Sequence, residues 1–143
     1  MITSNIGQAI KMVDEKMIQI DSGAKAARDE MMARLIQLAK EEIQGERPTI
    51  GRTRSGKKIY ESPATPNKPP MNRSGDLRRS IDGIKSQLGF AHYYAMVGPQ
   101  TVYARRLELG GGKWPAGLKF PYMEPAFIKF QEEAKAIIYK HLS

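Results

Sequence analysis

The stretch that decides the fold is Ile81-Asp-Gly-Ile-Lys-Ser-Gln-Leu-Gly-Phe-Ala-His-Tyr-Tyr-Ala-Met-Val97. Ile84, Ser86 and Leu88 alternate with Lys85 and Gln87, the period-two pattern of an extended chain whose two faces differ. Ala91 to Val97, carrying Tyr93, Tyr94, Met96 and Val97, is the best strand in the sequence, because aromatic and β-branched side chains suit a pleated surface. Gly89 between them predicts a turn, and Gly98-Pro99 ends the second strand. Strand, turn, strand implies an antiparallel hairpin. Helical periods flank it on both sides: a long N-terminal amphipathic helix before it and a C-terminal helix after it.

Working toward the N-terminus, residues 4–44 read as that long helix. Ile6, Ile10, Val13, Met17, Ile20, Ala24, Ala27, Met31, Leu35 and Leu38 follow one another in steps that are almost all three or four, which places them on one helical face. Ser4 or Asn5 is the candidate cap; Gly45 and then Pro48 mark the end. At about 1.5 Å per residue the helix is on the order of 60 Å long. A compact chain of this size has a radius of gyration of about 14 Å. Either the helix breaks near Asp21-Ser22-Gly23, where glycine costs about 1 kcal/mol against alanine, or it projects and packs on neighbouring subunits.

Between helix and hairpin, residues 45–72 change character. Five of the nine prolines lie here and apolar content is low, so the segment is expected to be an extended, Pro-rich arm. Arg52, Arg54, Lys57 and Lys58 crowd its middle. Residues 73–143 complete the α+β core, and the whole chain, 1–143, is expected to form a single domain. Residues 74–80 predict a short helix capped by Ser74, with Asp76 at its positive end. Tyr103 to Leu109 predicts another, closed by Gly110-Gly-Gly, in which Arg105 and Glu108 are spaced to pair. A loop over 110–119 holds the single tryptophan, Trp114. Pro121 and Pro125 bracket the entry to the final helix, whose expected buried face is Phe127, Phe130, Ala134, Ile137 and Ile138.

The 143 residues carry 23 Lys and Arg against 15 Asp and Glu, a net charge of +8 that favours nucleic acid or an acidic protein surface. No cysteine is present, which excludes disulfides, thiolate nucleophiles and cysteine metal sites. His92 and His141 lack ligand spacing. No basic start followed by an apolar run opens the chain, so no signal peptide is expected. No stretch approaches the roughly 20 apolar residues that cross a bilayer. Gly110-Gly-Gly-Lys113 has the glycines of a phosphate loop but not its spacing or its Lys-Ser/Thr pair. No catalytic constellation, metal site or cofactor site emerges, so the expectation is a protein that is not an enzyme.

Three motifs follow one another in order. The first is Pro69-Pro70-Met-Asn-Arg-Ser74-Gly75-Asp76-Leu77-Arg78-Arg79-Ser80-Ile81. Next come Val97-Gly98 and Tyr103-Ala104-Arg105-Arg106-Leu107-Glu108-Leu109-Gly110, and last Pro121-Tyr122-Met123-Glu124-Pro125-Ala126-Phe127. Over most of residues 4–140 this order resembles the neck and tail-completion proteins, the minor tail and head–tail joining components of long-tailed phages and prophages. The resemblance implies an α+β fold, with the long N-terminal amphipathic helix and the C-terminal helix packed on a small antiparallel sheet. It also implies a virion structural protein at the neck or tail top, assembled in the host cytoplasm as a homo-oligomeric ring, with a hexamer as candidate stoichiometry. Its implied partners are other neck and tail proteins, with genomic DNA in the lumen as a candidate contact and no membrane. The motif residues Gly75, Leu77, Arg78, Ser80, Ile81, Tyr103, Gly110, Pro121, Pro125 and Phe127 are then structural. Leu77, Ile81, Tyr103, Leu107 and Phe127 are the expected core anchors. Arg52, Arg54, Lys57 and Lys58, with Arg105, Arg106 and Glu108, are the expected contacts to a neighbouring subunit or to DNA. The alternative is a free basic nucleic-acid-binding protein, although no helix-turn-helix, zinc or ribonucleoprotein motif is present.

Overall fold

A computed structural model describes residues 2–43, 49–60, 69–70, 75–115 and 117–143. The architecture is α+β, as expected. Along the chain come α1 (Ile2–Glu42), β1 (Thr49–Arg52), β2 (Lys58–Tyr60), α2 (Asp76–Ser80), β3 (Asp82–Gly89), β4 (His92–Gly98), α3 (Ala104–Leu109) and α4 (Met123–Leu142).

α1 is one unbroken helix of 41 residues. It begins before Ser4 and Asn5, so the expected cap positions fall inside its first turns. The expected stop at Gly45 and Pro48 lies outside the described residues. Of the two alternatives for its length, the helix projects: residues 5–20 are exposed throughout, and burial begins only beyond them. Gly23 has a packing role. A Cβ there would run into the backbone carbonyl oxygen of His141, so only glycine lets the end of α4 press this closely on α1.

α4 lies antiparallel along the second half of α1. As α1 is climbed, α4 is descended. Glu30 accepts from Lys140 Nζ at 3.1 Å and meets the His141 ring. Arg34 donates twice to Glu133, at 2.5 and 2.8 Å, and Lys129 donates to Glu42. These pairs sit at the surface, where each contributes little on its own. They do set the acid response. Hydrogen bonds from His141 and then Lys140 hold the Glu30 carboxyl below its ordinary value of 4.5, and the Arg34 hydrogen bond does the same for Glu133. A carboxyl whose folded value is depressed stabilises the fold above its unfolded value and loses that contribution as pH falls through the folded one. The expected result is a melting temperature that holds as pH falls toward 4.5 and declines below it. Replacing Arg34 by methionine should flatten part of that decline, and a thermal melt series in acid checks it.

The core lies where the second half of α1 meets the start of α4 and the two short helices. Leu38, Ala39, Ile43, Leu77, Ile81, Ala104, Tyr122 and Ala126 form one buried cluster. Leu77 and Ile81 are there as expected. Tyr103 and Phe127 are not: they are 44% and 48% exposed. Ile138, also expected inside, is on the outer side of α4. The rest of the expected face of α4 turns inward: Ile137 is buried and Phe130 and Ala134 are half-buried. Ala126, four residues before Phe130 and so on the same side of the helix, is buried in place of Phe127.

β3 and β4 pair antiparallel as predicted, with Ile84 opposite Met96 and Ser86 opposite Tyr94. The left-handed residue of the turn is Ala91, at φ 51°, rather than Gly89. Its N–H donates to Asp21 Oδ1 at 2.9 Å and the Tyr93 hydroxyl donates to Asp21 Oδ2 at 2.9 Å, so α1 fixes the turn. Lower down, Arg28 donates to the Ser86 carbonyl at 3.1 Å and lies 5.0 Å over the Tyr93 ring. Lys85 reaches Asp29 at 3.4 Å.

Part of the expected arm is ordered differently. Within 45–72, β1 and β2 form a second antiparallel hairpin, with Arg52 opposite Lys58. Its turn is closed by Thr53 N–H to the Lys57 carbonyl and Gly56 N–H to the Thr53 carbonyl, both 2.8 Å, with Gly56 at φ 81°. Residues 44–48, 61–68 and 71–74, including the expected cap Ser74, lie outside the described residues.

Candidate partner interface

The residues picked out by the motifs come together around the start of α4. A helix leaves its first N–H groups without partners, and Tyr122, the residue at the N-cap, makes no side-chain cap. The acceptor comes from α3. Glu108 takes the N–H of Tyr122 at 2.8 Å, of Met123 at 3.0 Å and of Glu124 at 2.9 Å. The next residue, Pro125, has no N–H to satisfy and tolerates the first turn for that reason. A carboxylate at this end also meets the positive pole of the helix. Glu108 therefore joins the second motif to the third, and it is not the partner of Arg105 that their spacing predicted. Arg105 and Arg106 are exposed, and Arg106 lies 6.0 Å over the Trp114 ring.

Gly110 makes this geometry possible. It sits at φ 74°, and a Cβ on it would be 2.5 Å from the Leu118 carbonyl oxygen. The chain folds back sharply enough for the Phe120 N–H to reach the Leu107 carbonyl at 2.6 Å. Phe120 then packs edge-on against Trp114, centroids 5.8 Å apart. Pro121 is buried and Pro125 half-buried, and Tyr122 is fully enclosed. Among the described residues its hydroxyl has no hydrogen-bond partner. Burial first, and then the neighbouring Glu108 charge and Tyr103, raise its pKa far above the ordinary value. In the first motif Gly75, at φ 81°, opens α2. Leu77 and Ile81 enter the core, the Ser80 hydroxyl donates back to the Leu77 carbonyl at 2.8 Å, and Arg78 points to solvent. These motif residues thus build and brace the core.

Three exposed surfaces lie away from this cluster. Arg52, Arg54, Lys57 and Lys58 are all exposed on the β1–β2 hairpin, and among the described residues no carboxylate pairs with any of them. Because β1–β2 is a ribbon, the tight turn brings all four cations to one tip. The second surface is the free half of α1, where Ile6, Ile10, Val13, Met17 and Ile20 form a stripe between 39% and 58% exposed. The third is the side of β3–β4 turned away from α1. Directly opposed residues share a face, so Ile84 and Met96 lie on it together, 62% and 60% exposed, beside Tyr94. The sequence flagged the first surface by its charge. The second was foreshadowed by the length of α1, too great for a compact chain, and the third was visible only as the alternation of β3 and β4, which does not say which face stays bare.

A shallow groove between α1 and α4 is lined by Glu30, Arg34, Gln37 and Glu133, whose charged groups are taken up by the pairs described above. Among the described residues no three His, Asp or Glu side chains gather as metal ligands. No described helix is long and apolar enough to cross a membrane. No family model, curated protein or solved structure matches the chain.

Proposed function

We propose that this chain is a non-enzymatic structural subunit of a tailed-phage neck, one that completes the tail or joins head to tail by assembling with copies of itself and with adjoining virion proteins. The observation that carries the proposal is the free half of α1. Five aliphatic side chains in steps of four and three stand uncovered over about 21 Å of helix. Burying the remaining exposed part of each returns about 1 kcal/mol. A chain that works alone has no use for such a stripe, whereas a subunit of an assembly covers it with a neighbour. The order of the three motifs supports placing that assembly in a neck.

The basic tip of β1–β2 then faces a neighbour or the DNA that passes through. Replacing Arg52, Arg54, Lys57 and Lys58 together by alanine is expected to leave the circular-dichroism spectrum and melting temperature unchanged. Attachment of tails to filled heads is expected to drop at least tenfold, read as phage titre and as joined particles in negative stain. A wild-type titre would count against a neck contact through this tip.

A second reading, a free nucleic-acid-binding protein, is favoured by the same four cations. Four phosphate contacts give a log–log salt dependence with a slope of about −3.6. Gel shifts at low and high salt separate the readings: tight, steeply salt-dependent binding by the isolated monomer supports the second.

A further inference from the structure

α1 presents one apolar face along its whole length, and that face changes occupant at Gly23. Beyond Gly23 it is covered by the chain's own α4 and β3–β4. Before Gly23 it is bare. The side chains change at the same point. Ala24 and Ala27 are small and let the covering elements approach closely, whereas Ile6, Ile10, Val13, Met17 and Ile20 are large and await a surface of their own.

The β3–β4 ribbon has the complementary deficit. Its inner face lies on α1, with Gly83 so close to Met32 that a Cβ would sit 2.6 Å from the Met32 sulfur. Its outer face, Ile84, Tyr94 and Met96, has no cover, and two strands alone make a marginal sheet. A seven-residue strand spans about 23 Å, and the bare stripe of α1 about 21 Å.

We infer that the occupant of each surface is the other one on a second copy: the free half of α1 in one subunit lies across the outer face of β3–β4 in the next. The two areas suit such a contact. A helix this long buries on the order of 500 Å² on a sheet, and with the ribbon's share the total reaches about 1,000 Å², the size at which specific interfaces begin. The contact is head-to-tail, since different patches meet, and a head-to-tail contact repeats into a ring when its rotation closes. Symmetric pairing of two bare stripes is the competing arrangement. In parallel register it is blocked from Gly23 onward, where α4 already occupies the face. Pairing of the bare halves alone stops at a dimer and leaves the ribbons uncovered. The inference rests on the proposed self-assembly and specifies its interface.

The chain contains no cysteine, so thiol cross-linking reads the contact directly. Val13→Cys and Met96→Cys are each at exposed positions. The purified full-length chain carrying both, treated with a short bifunctional thiol linker, is expected to give a ladder of dimers, trimers and larger multimers on a denaturing gel. Either single variant is expected to remain monomeric there. Dimers from Val13→Cys alone would show stripe-to-stripe pairing and overturn the inference. So would an unlinked double variant whose native mass is still multimeric, an outcome that leaves the neck proposal standing. A wild-type chain that sediments as a monomer at high concentration, with no linking, would overturn both.

Discussion

Glu108→Ala is expected to lower the stability of the chain by about 3 kcal/mol. Three N–H groups at the start of α4 lose a charged acceptor together. One of them, on Tyr122, is sealed in the core and cannot turn to water. A hydrogen bond to a charged group contributes about 1.5–3 kcal/mol, and loss of a helix cap costs about 1 kcal/mol. Water reaching the exposed end of the turn recovers part of the sum. Glu108→Gln keeps an acceptor oxygen but not the charge, and should lose about half as much. Arg105→Ala removes a residue that does not touch the cap and should be near neutral. Urea unfolding checks the order of the three: the midpoint should shift, with the slope unchanged.

Tyr122→Ala is expected to be more damaging, at about 3–5 kcal/mol, because a large aromatic side chain leaves a cavity in a site enclosed by several elements. Against a total stability of about 5–15 kcal/mol, that removes a large share of the margin, and the melting temperature should fall steeply. Tyr122→Phe should move the other way. The hydroxyl is buried without a partner, and removing it relieves a desolvation penalty of about 1 kcal/mol or more. The two variants together separate packing from polarity at one position. A phenylalanine variant less stable than wild type would mean that the hydroxyl is bonded.

The sequence made some of this legible. α1 and β3–β4 could be read because their signals are local: a helical step repeated nine times, and a strict alternation broken at a turn. The buried face of α4 could be read in part: Phe130, Ala134 and Ile137 turn inward at helical spacing. Phe127 and Ile138 looked inward because they are large and apolar, yet they flank that face and stand exposed, while small Ala126 is buried. The role of Glu108 was hidden, since it caps a helix that begins fifteen residues later, and no local spacing encodes that reach. Arg105 was the obvious partner by helical spacing and the wrong one. The β1–β2 hairpin was masked by the prolines around it, which suggested a single extended arm across a segment that contains a tight turn at Gly56. Apolar periodicity also cannot say whose surface it will meet, so Ile6 to Ile20 and Ala24 to Leu38 read as one uniform stripe.

The bare half of α1 has a consequence for the life of the newly made chain. Sixteen residues of helix without tertiary support are close to the length at which a helix in water is marginal, so the backbone amides of residues 5–20 should trade hydrogen with solvent far faster than those beyond Gly23. Proteases attack such fraying ends, and an orphan subunit should be trimmed there while an incorporated one is spared. Were the chain the subunit proposed above, supply would be matched to demand without a dedicated regulator: surplus copies would be removed through the very end that incorporation shields.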